Sequence, residues 1–217
     1  MATYLNLVND VLIRLREAEV TATTDTTYSK LISKFINDAK REVEDAWNWT
    51  SLRNEISLTL IVDQTAYSLD DTTYRTRILE AHNLTKDHVM QKLNHISFQR
   101  RTNLGTSSSD SPLWYKVMGF NPSTLKIKIE VFPKPSSTDS LEFYCVVPQA
   151  DLSSDSTTLS VPADPVVLGA WSKAVSERGE DGGQLFQEAD RTYRDALHNA
   201  IAWDSAFVEQ ELDWIPT

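Results

Sequence analysis

The chain has 217 residues, 41% of them hydrophobic and 24% charged, and a formal net charge of −10. That length supports one large domain or two small ones, and no run approaches the roughly eighteen apolar residues that a membrane span needs. The charge is uneven: residues 1–148 carry 18 acids and 17 bases, whereas residues 149–217 carry 13 acids and 4 bases, and such an acidic surface disfavours tight binding to phosphate backbones.

The N-terminal stretch lacks the basic start, apolar core and small-residue cleavage pattern of a signal peptide, and none is expected. Leu5, Val8, Val11, Leu12 and Leu15 recur at three- and four-residue steps, which predicts a helix over 3–19 with Thr3 as its N-cap. "TATTDTT" breaks it. A second helix is predicted over 26–47, with Tyr28, Leu31, Ile32, Phe35, Ile36, Ala39, Val43, Ala46 and Trp47 on its buried face. Lys34 with Asp38, Lys40 with Glu44, and Arg41 with Asp45 stand four apart, as expected of an exposed face. In "REVEDAWNW" this reading makes Trp47 the end of the inner stripe, while Trp49 covers the helix end.

The middle of the chain reads as β. Ile56, Leu58, Leu60 and Val62 alternate, and a turn at Asp63–Gln64 predicts a hairpin returning through Tyr67 and Leu69. "RILEAHNL" and "HVMQKL" are shorter strand candidates, and "HISFQRR" suits one or two helical turns. "LGTSSSDSP", 104–112, is a flexible loop by composition. The strongest hairpin is 113–135, turning at Gly119, Phe120, Asn121 and Pro122, with Leu125, Ile127, Ile129 and Val131 alternating against Lys126, Lys128 and Glu130. "LEFYCVV" adds a strand carrying the single cysteine, Cys145. One cysteine excludes an internal disulfide framework, and its apolar setting reads as a buried, inert thiol folded in a reducing compartment. Short connections favour antiparallel pairing.

Helix returns near the C-terminus. "PADPVVLGAWSKAVSERGEDGG" begins with prolines suited to a first turn and stops at Gly179, Gly182 and Gly183. "QLFQEADRTYRDALHNAIAWDSAFV" is a long helix whose expected inner stripe is Phe186, Ala189, Tyr193, Ala196, Leu197, Ala200, Trp203 and Phe207. The layout predicts an α+β fold: a helix bundle from the two chain ends, 1–53 and 149–207, with an antiparallel β region inserted at 54–148 and a C-terminal arm at 208–217.

Chemistry is sparse. There is no phosphate-binding glycine loop, nucleophile elbow, HExxH or CxxC. His82, His88, His95 and His198 include no i, i+4 pair, so no metal site is expected. Glu42 with Asp45, Asp70 with Asp71, and Glu177 with Glu180 and Asp181 are close in sequence, but a glycosidase needs its carboxylates about 5–10 Å apart in a cleft. No catalytic residue and no cofactor are expected. Trp47 and Trp171 fall on apolar helix faces. Trp114 beside Tyr115 suits either core or a binding face. Trp214, in the arm with Leu212 and Ile215, suits docking onto another chain as well as onto its own domain.

"TYLNLVNDVLIRLRE", "FINDAKREVEDAWNWTSLR", "VVLGAWSKAVSERGEDGG" and "DALHNAIAWD" together resemble the head-to-tail adaptor proteins of tailed bacteriophages, nearest to the short-tailed phage adaptors sometimes called tail tubular protein A. The likeness covers roughly 3–82 and 160–205. It implies a non-enzymatic virion protein of the neck, made in the host cytoplasm and assembled as a ring, commonly of twelve copies. It implies binding to the portal protein and to the tail nozzle or tube. Genomic DNA would pass through the ring without specific binding, and no membrane is involved. It further implies that the arm docks on the portal through Leu212, Trp214 and Ile215, and that the loop carrying Leu104, Ser107 and Asp110 faces the tail. An acidic C-terminal third would suit a channel wall that repels DNA. Two alternatives from other classes stand beside it: a virion-associated polysaccharide hydrolase, and a binding module using aromatic residues of the β region such as Trp114.

Overall fold

In a computed structural model, residues 2–104, 110–179 and 183–207 are described, Leu104 by its backbone alone. The chain divides into two compact units, one of residues 1–52 with 149–217 and one of residues 53–148.

The first unit is helical. Helix α1 (Tyr4–Arg14) starts at Thr3, whose hydroxyl accepts the Asn6 N–H at 3.3 Å, and buries Tyr4, Leu7, Val8, Val11 and Leu12. It stops five residues short of the expected end. Arg16 takes a left-handed φ of 59°, and Glu17 N–H donates back to Leu12 O at 2.9 Å, reversing the chain. The Asn9 side chain then clasps the backbone of Val20 through two 3.0 Å hydrogen bonds. Helix α2 (Thr27–Ala46) opens with a reciprocal capping box between Thr26 and Ser29.

The buried face of α2 differs from the expected one. It runs through Ser29, Ile32, Ser33, Ile36, Ala39, Lys40, Val43 and Glu44, leaving Tyr28, Leu31 and Phe35 half-buried and Ala46 exposed. Lys40 and Glu44, expected on the wet face, are both fully buried and paired at 2.9 Å. The segment at Gln149 closes over them, its carbonyl accepting from Lys40 at 2.8 Å and its N–H donating to Glu44 at 3.2 Å. Trp47 is only half-buried, and the core indole is Trp49, fully buried with its Nε1 donating to Val43 O at 2.6 Å. Trp47 has extended backbone as the C-cap of α2, so its side chain leaves the helical stripe.

Helix α4 (Ala163–Glu177) is the centre of this unit. It is buried on nearly all sides and packs on α1, on α2 and on α5 (Gln184–Ser205). Gly169 makes the close approach possible: a Cβ there would meet the Tyr193 ring at 3.1 Å and Ala39 Cβ at 3.2 Å. Helix α5 buries only Ala189. The expected inner stripe holds at Ala189 and half-holds through Phe186, Tyr193, Ala196, Leu197 and Ala200, but Trp203 and Phe207 are each 75% exposed. Past Ala200 the polar Asp204 is tied to Trp47 and Thr50, while the apolar end of the stripe stays open among the described residues.

The second unit holds two four-stranded sheets. One has the order β1 (Arg53–Thr59), β8 (Ser140–Val146), β3 (Arg77–Asn83), β4 (His88–Val89), all antiparallel. The other has the order β2 (Ala66–Ser68), β7 (Ile127–Phe132), β6 (Trp114–Phe120), β5 (Gln91–Lys92), in which only the two-residue β5–β6 pairing is parallel. Helix α3 (His95–Leu104) lies between β5 and β6 in sequence. The inner faces share one apolar cluster, with the rings of Tyr115 and Phe143 edge to face at 5.7 Å.

The β6–β7 hairpin forms, with a register shift at Val117–Gly119 where Gly119 has φ 115°, but its turn lies later than expected: Gly119 and Phe120 are in β6, and Leu125, at φ 59°, is in the turn. The expected hairpin of 54–69 does not form. β1 pairs with β8 and β2 pairs with β7, so the chain crosses from one sheet to the other. Asp63, at φ 70°, donates its N–H to Pro135 O, and the Tyr67 hydroxyl holds both the N–H and the carbonyl of Ile61. Alternation placed Ile56, Leu60, Ile127, Ile129 and Val131 inward, as found, but Val62 and Leu125, at the turns, are exposed; it carried no information about the partner strand.

Candidate assembly surface

The largest exposed aromatics of the helical unit lie together. Trp203, in the last turn of α5, and Phe207, just past its end, stand over the first turn of α4, where Pro162, Pro165 and Leu168 floor a groove closed by Ala196 and Ala200. Arg14, Asp164, Asn199 and Asp204 form its rim. The groove is held open by a built joint. The Asp204 carboxylate accepts Trp47 Nε1 at 3.0 Å, Thr50 N–H at 3.1 Å and Thr50 Oγ1 at 2.6 Å. These bonds fasten the end of α5 to the end of α2 and place Trp47 beneath it. A carboxylate accepting three hydrogen bonds fixes the helix end more firmly than apolar contact alone.

A second apolar patch lies on α2, where Tyr28 and Leu31 are flanked by Thr27, Lys30 and Lys34. Arg178, at the C-cap of α4, braces it: the guanidinium lies 5.0 Å from the Tyr28 ring centroid, Nε donates to the Tyr28 hydroxyl at 2.8 Å, and the far nitrogen pairs with Glu17 at 2.6 Å. Burial pushes the Arg178 pKa down, but its hydrogen bonds to Glu17 and Tyr28 and the nearby Glu17 charge outweigh this and hold it above its ordinary value.

The residues weighed for catalysis do not converge. Glu42 is paired with Lys173 at 2.7 Å, and Asp70 with Lys126 at 2.5 Å. His82 lies 3.5 Å from Asp87, and a His88 ring nitrogen is 2.9 Å from Pro112 O. Among the described residues no three His, Cys, Asp or Glu side chains are placed to hold a metal. Glu180 and Asp181 lie outside the described residues. The Cys145 thiol is buried in the β core, and burial pushes its pKa up to about 11. The Trp114 ring stacks on Phe132 at 6.0 Å and carries the Arg101 guanidinium at 4.2 Å.

Of the loop residues expected to meet another component, Asp110 is exposed and ties the loop end down by donating its N–H to Lys134 O at 2.9 Å. Leu104 ends α3, and Ser107 lies outside the described residues, as do Leu212, Trp214 and Ile215 of the arm. Sequence reasoning missed Trp203 and Phe207 as surface residues. The available signal was a two-turn apolar stretch at a helix end that no further predicted helix could cover.

An exposed apolar groove with two large aromatics beside it is the kind of surface that proteins use to assemble with one another. The family model "SU10 adaptor protein" matches residues 2–211, and the chain belongs to that family, that of a bacteriophage head-to-tail adaptor. No curated protein matches the chain.

Proposed function

We propose that this adaptor assembles as a ring, of twelve copies, joining the portal to the tail nozzle or tube in the neck of the virion. The observation that carries the reading is the family match over residues 2–211. It is supported by Trp203 and Phe207, each 75% exposed at the end of α5, since a chain working alone rarely leaves two large aromatics together in water. In this reading the arm, with Leu212, Trp214 and Ile215, docks on the portal, and the loop of Leu104, Ser107 and Asp110 faces the tail. Genomic DNA passes through the ring without specific binding, favoured by the excess of acids in residues 149–217. The protein is made in the host cytoplasm and has no catalytic step of its own.

The test is assembly. Purified chain is mixed with its portal protein and imaged by electron microscopy. Rings, or portals bearing an added layer of density, are expected. A chain that remains monomeric and never decorates the portal overturns the reading. Deleting residues 208–217 should leave copy-to-copy contacts intact while weakening portal binding; unchanged portal binding would remove the arm from the proposal.

A further inference from the structure

We propose that the groove beside Trp203 and Phe207 of one copy receives the Tyr28–Leu31 patch of the next, so that these two surfaces form the repeating contact of the ring. This rests on the ring reading above and supplies its residues. The groove is apolar and open, and so is the patch. Their charges are complementary. The patch carries Lys30 and Lys34, neither of which has a carboxylate within 4.0 Å among the described residues. The groove rim carries Asp164 and Asp204 against Arg14.

The two surfaces also sit apart on one copy. The groove is built on the first turn of α4, and the patch is braced by Arg178 at the other end of that helix. Fifteen residues of helix separate them by about 22 Å. A copy therefore does not fill its own groove with its own patch. Two different surfaces that fit each other give a heterologous contact, which closes into a ring or runs on as a filament, whereas a self-complementary patch stops at a dimer.

The test uses two variants of the full chain. One is Trp203→Ser with Phe207→Ser, which spoils the groove. The other is Lys30→Glu with Lys34→Glu, which spoils the patch. All four side chains are at the surface, and unchanged thermal melts verify that both variants fold. Each alone should raise the concentration for half-assembly by about thirtyfold or more, the effect of losing one strong interface anchor. Mixed in equal amounts, each mixed pair has one intact groove facing one intact patch, so the mixture should stop at one-to-one dimers by mass photometry and form no ring. Rings from either variant at wild-type concentrations, or rings from the mixture, overturn the contact and leave the ring reading standing. A wild-type chain that forms no ring, alone or on portal, overturns both.

Discussion

Breaking the buried ion pair of α2 should destabilise the helical unit far more than removing the pair altogether. Lys40 and Glu44 have side chains 0% exposed and lie 2.9 Å apart. At that distance, with an effective dielectric constant of about 20, their attraction is roughly 6 kcal/mol. Taking each ion out of water costs several kcal/mol, so the pair contributes close to zero net. Removing one member is different, because the other charge stays buried beside the Gln149 backbone, which lies 2.8 Å from Lys40 and 3.2 Å from Glu44. Lys40→Met is expected to cost ~3–5 kcal/mol. The double variant Lys40→Met/Glu44→Leu should return to within ~1 kcal/mol of the wild type, since it replaces both charges by apolar groups of similar size. Urea unfolding followed by far-ultraviolet circular dichroism measures both, with an unchanged slope confirming that stability alone has moved. A loss under ~1 kcal/mol for Lys40→Met, or a double variant weaker than the single, would refute the reasoning.

Three further outcomes follow from the same packing. Trp49→Ala should cost ~3–5 kcal/mol and Trp47→Ala under ~2 kcal/mol, because the first indole is fully buried and the second half-exposed; equal shifts in melting temperature would contradict this. Gly169→Ala should destabilise by ~1–3 kcal/mol by forcing a methyl against the Tyr193 ring and Ala39, and a neutral or raised melting temperature would show that α5 yields. Burial raises the pKa of Asp139, but hydrogen bonds donated by Asn83, Ser137 and Ser111 outweigh this and hold its carboxyl below the ordinary value. A depressed folded pKa contributes stability that is present above the unfolded value near ~3.9 and is lost as pH falls through the folded one. Asp139→Asn should therefore cost ~1–3 kcal/mol at neutral pH and lose less than the wild type below about pH 4; parallel stability–pH curves would argue against it.

The helices were legible because their signals are local. Spacing and cap residues place α1, α2, α4 and α5 from sequence, and the one large boundary error, at the end of α1, arose where Arg16 adopts a left-handed φ that no periodicity announces. The β6–β7 hairpin was legible for the same reason, since its turn and both strands are contiguous. The pairing of β1 with β8, across 93 positions from Arg53 to Val146, was not. The alternation of Ile56 and Leu58 fits any partner. Of the candidate assembly surface, the sequence showed the apolar residues but not which of them remain in water.

Charge at helical spacing illustrates the division. By itself the sequence determined that Lys40 and Glu44 share one helix face, that Trp203 and Phe207 stand four apart at the end of another helix, and that the acids gather in residues 149–217. The tertiary structure alone decided that the first pair is sealed in the core and the second left open. Helical spacing is set by the backbone, one turn at a time. Burial depends on what arrives from elsewhere in the chain: Gln149 comes back over α2, and within the described residues no helix comes back over the end of α5.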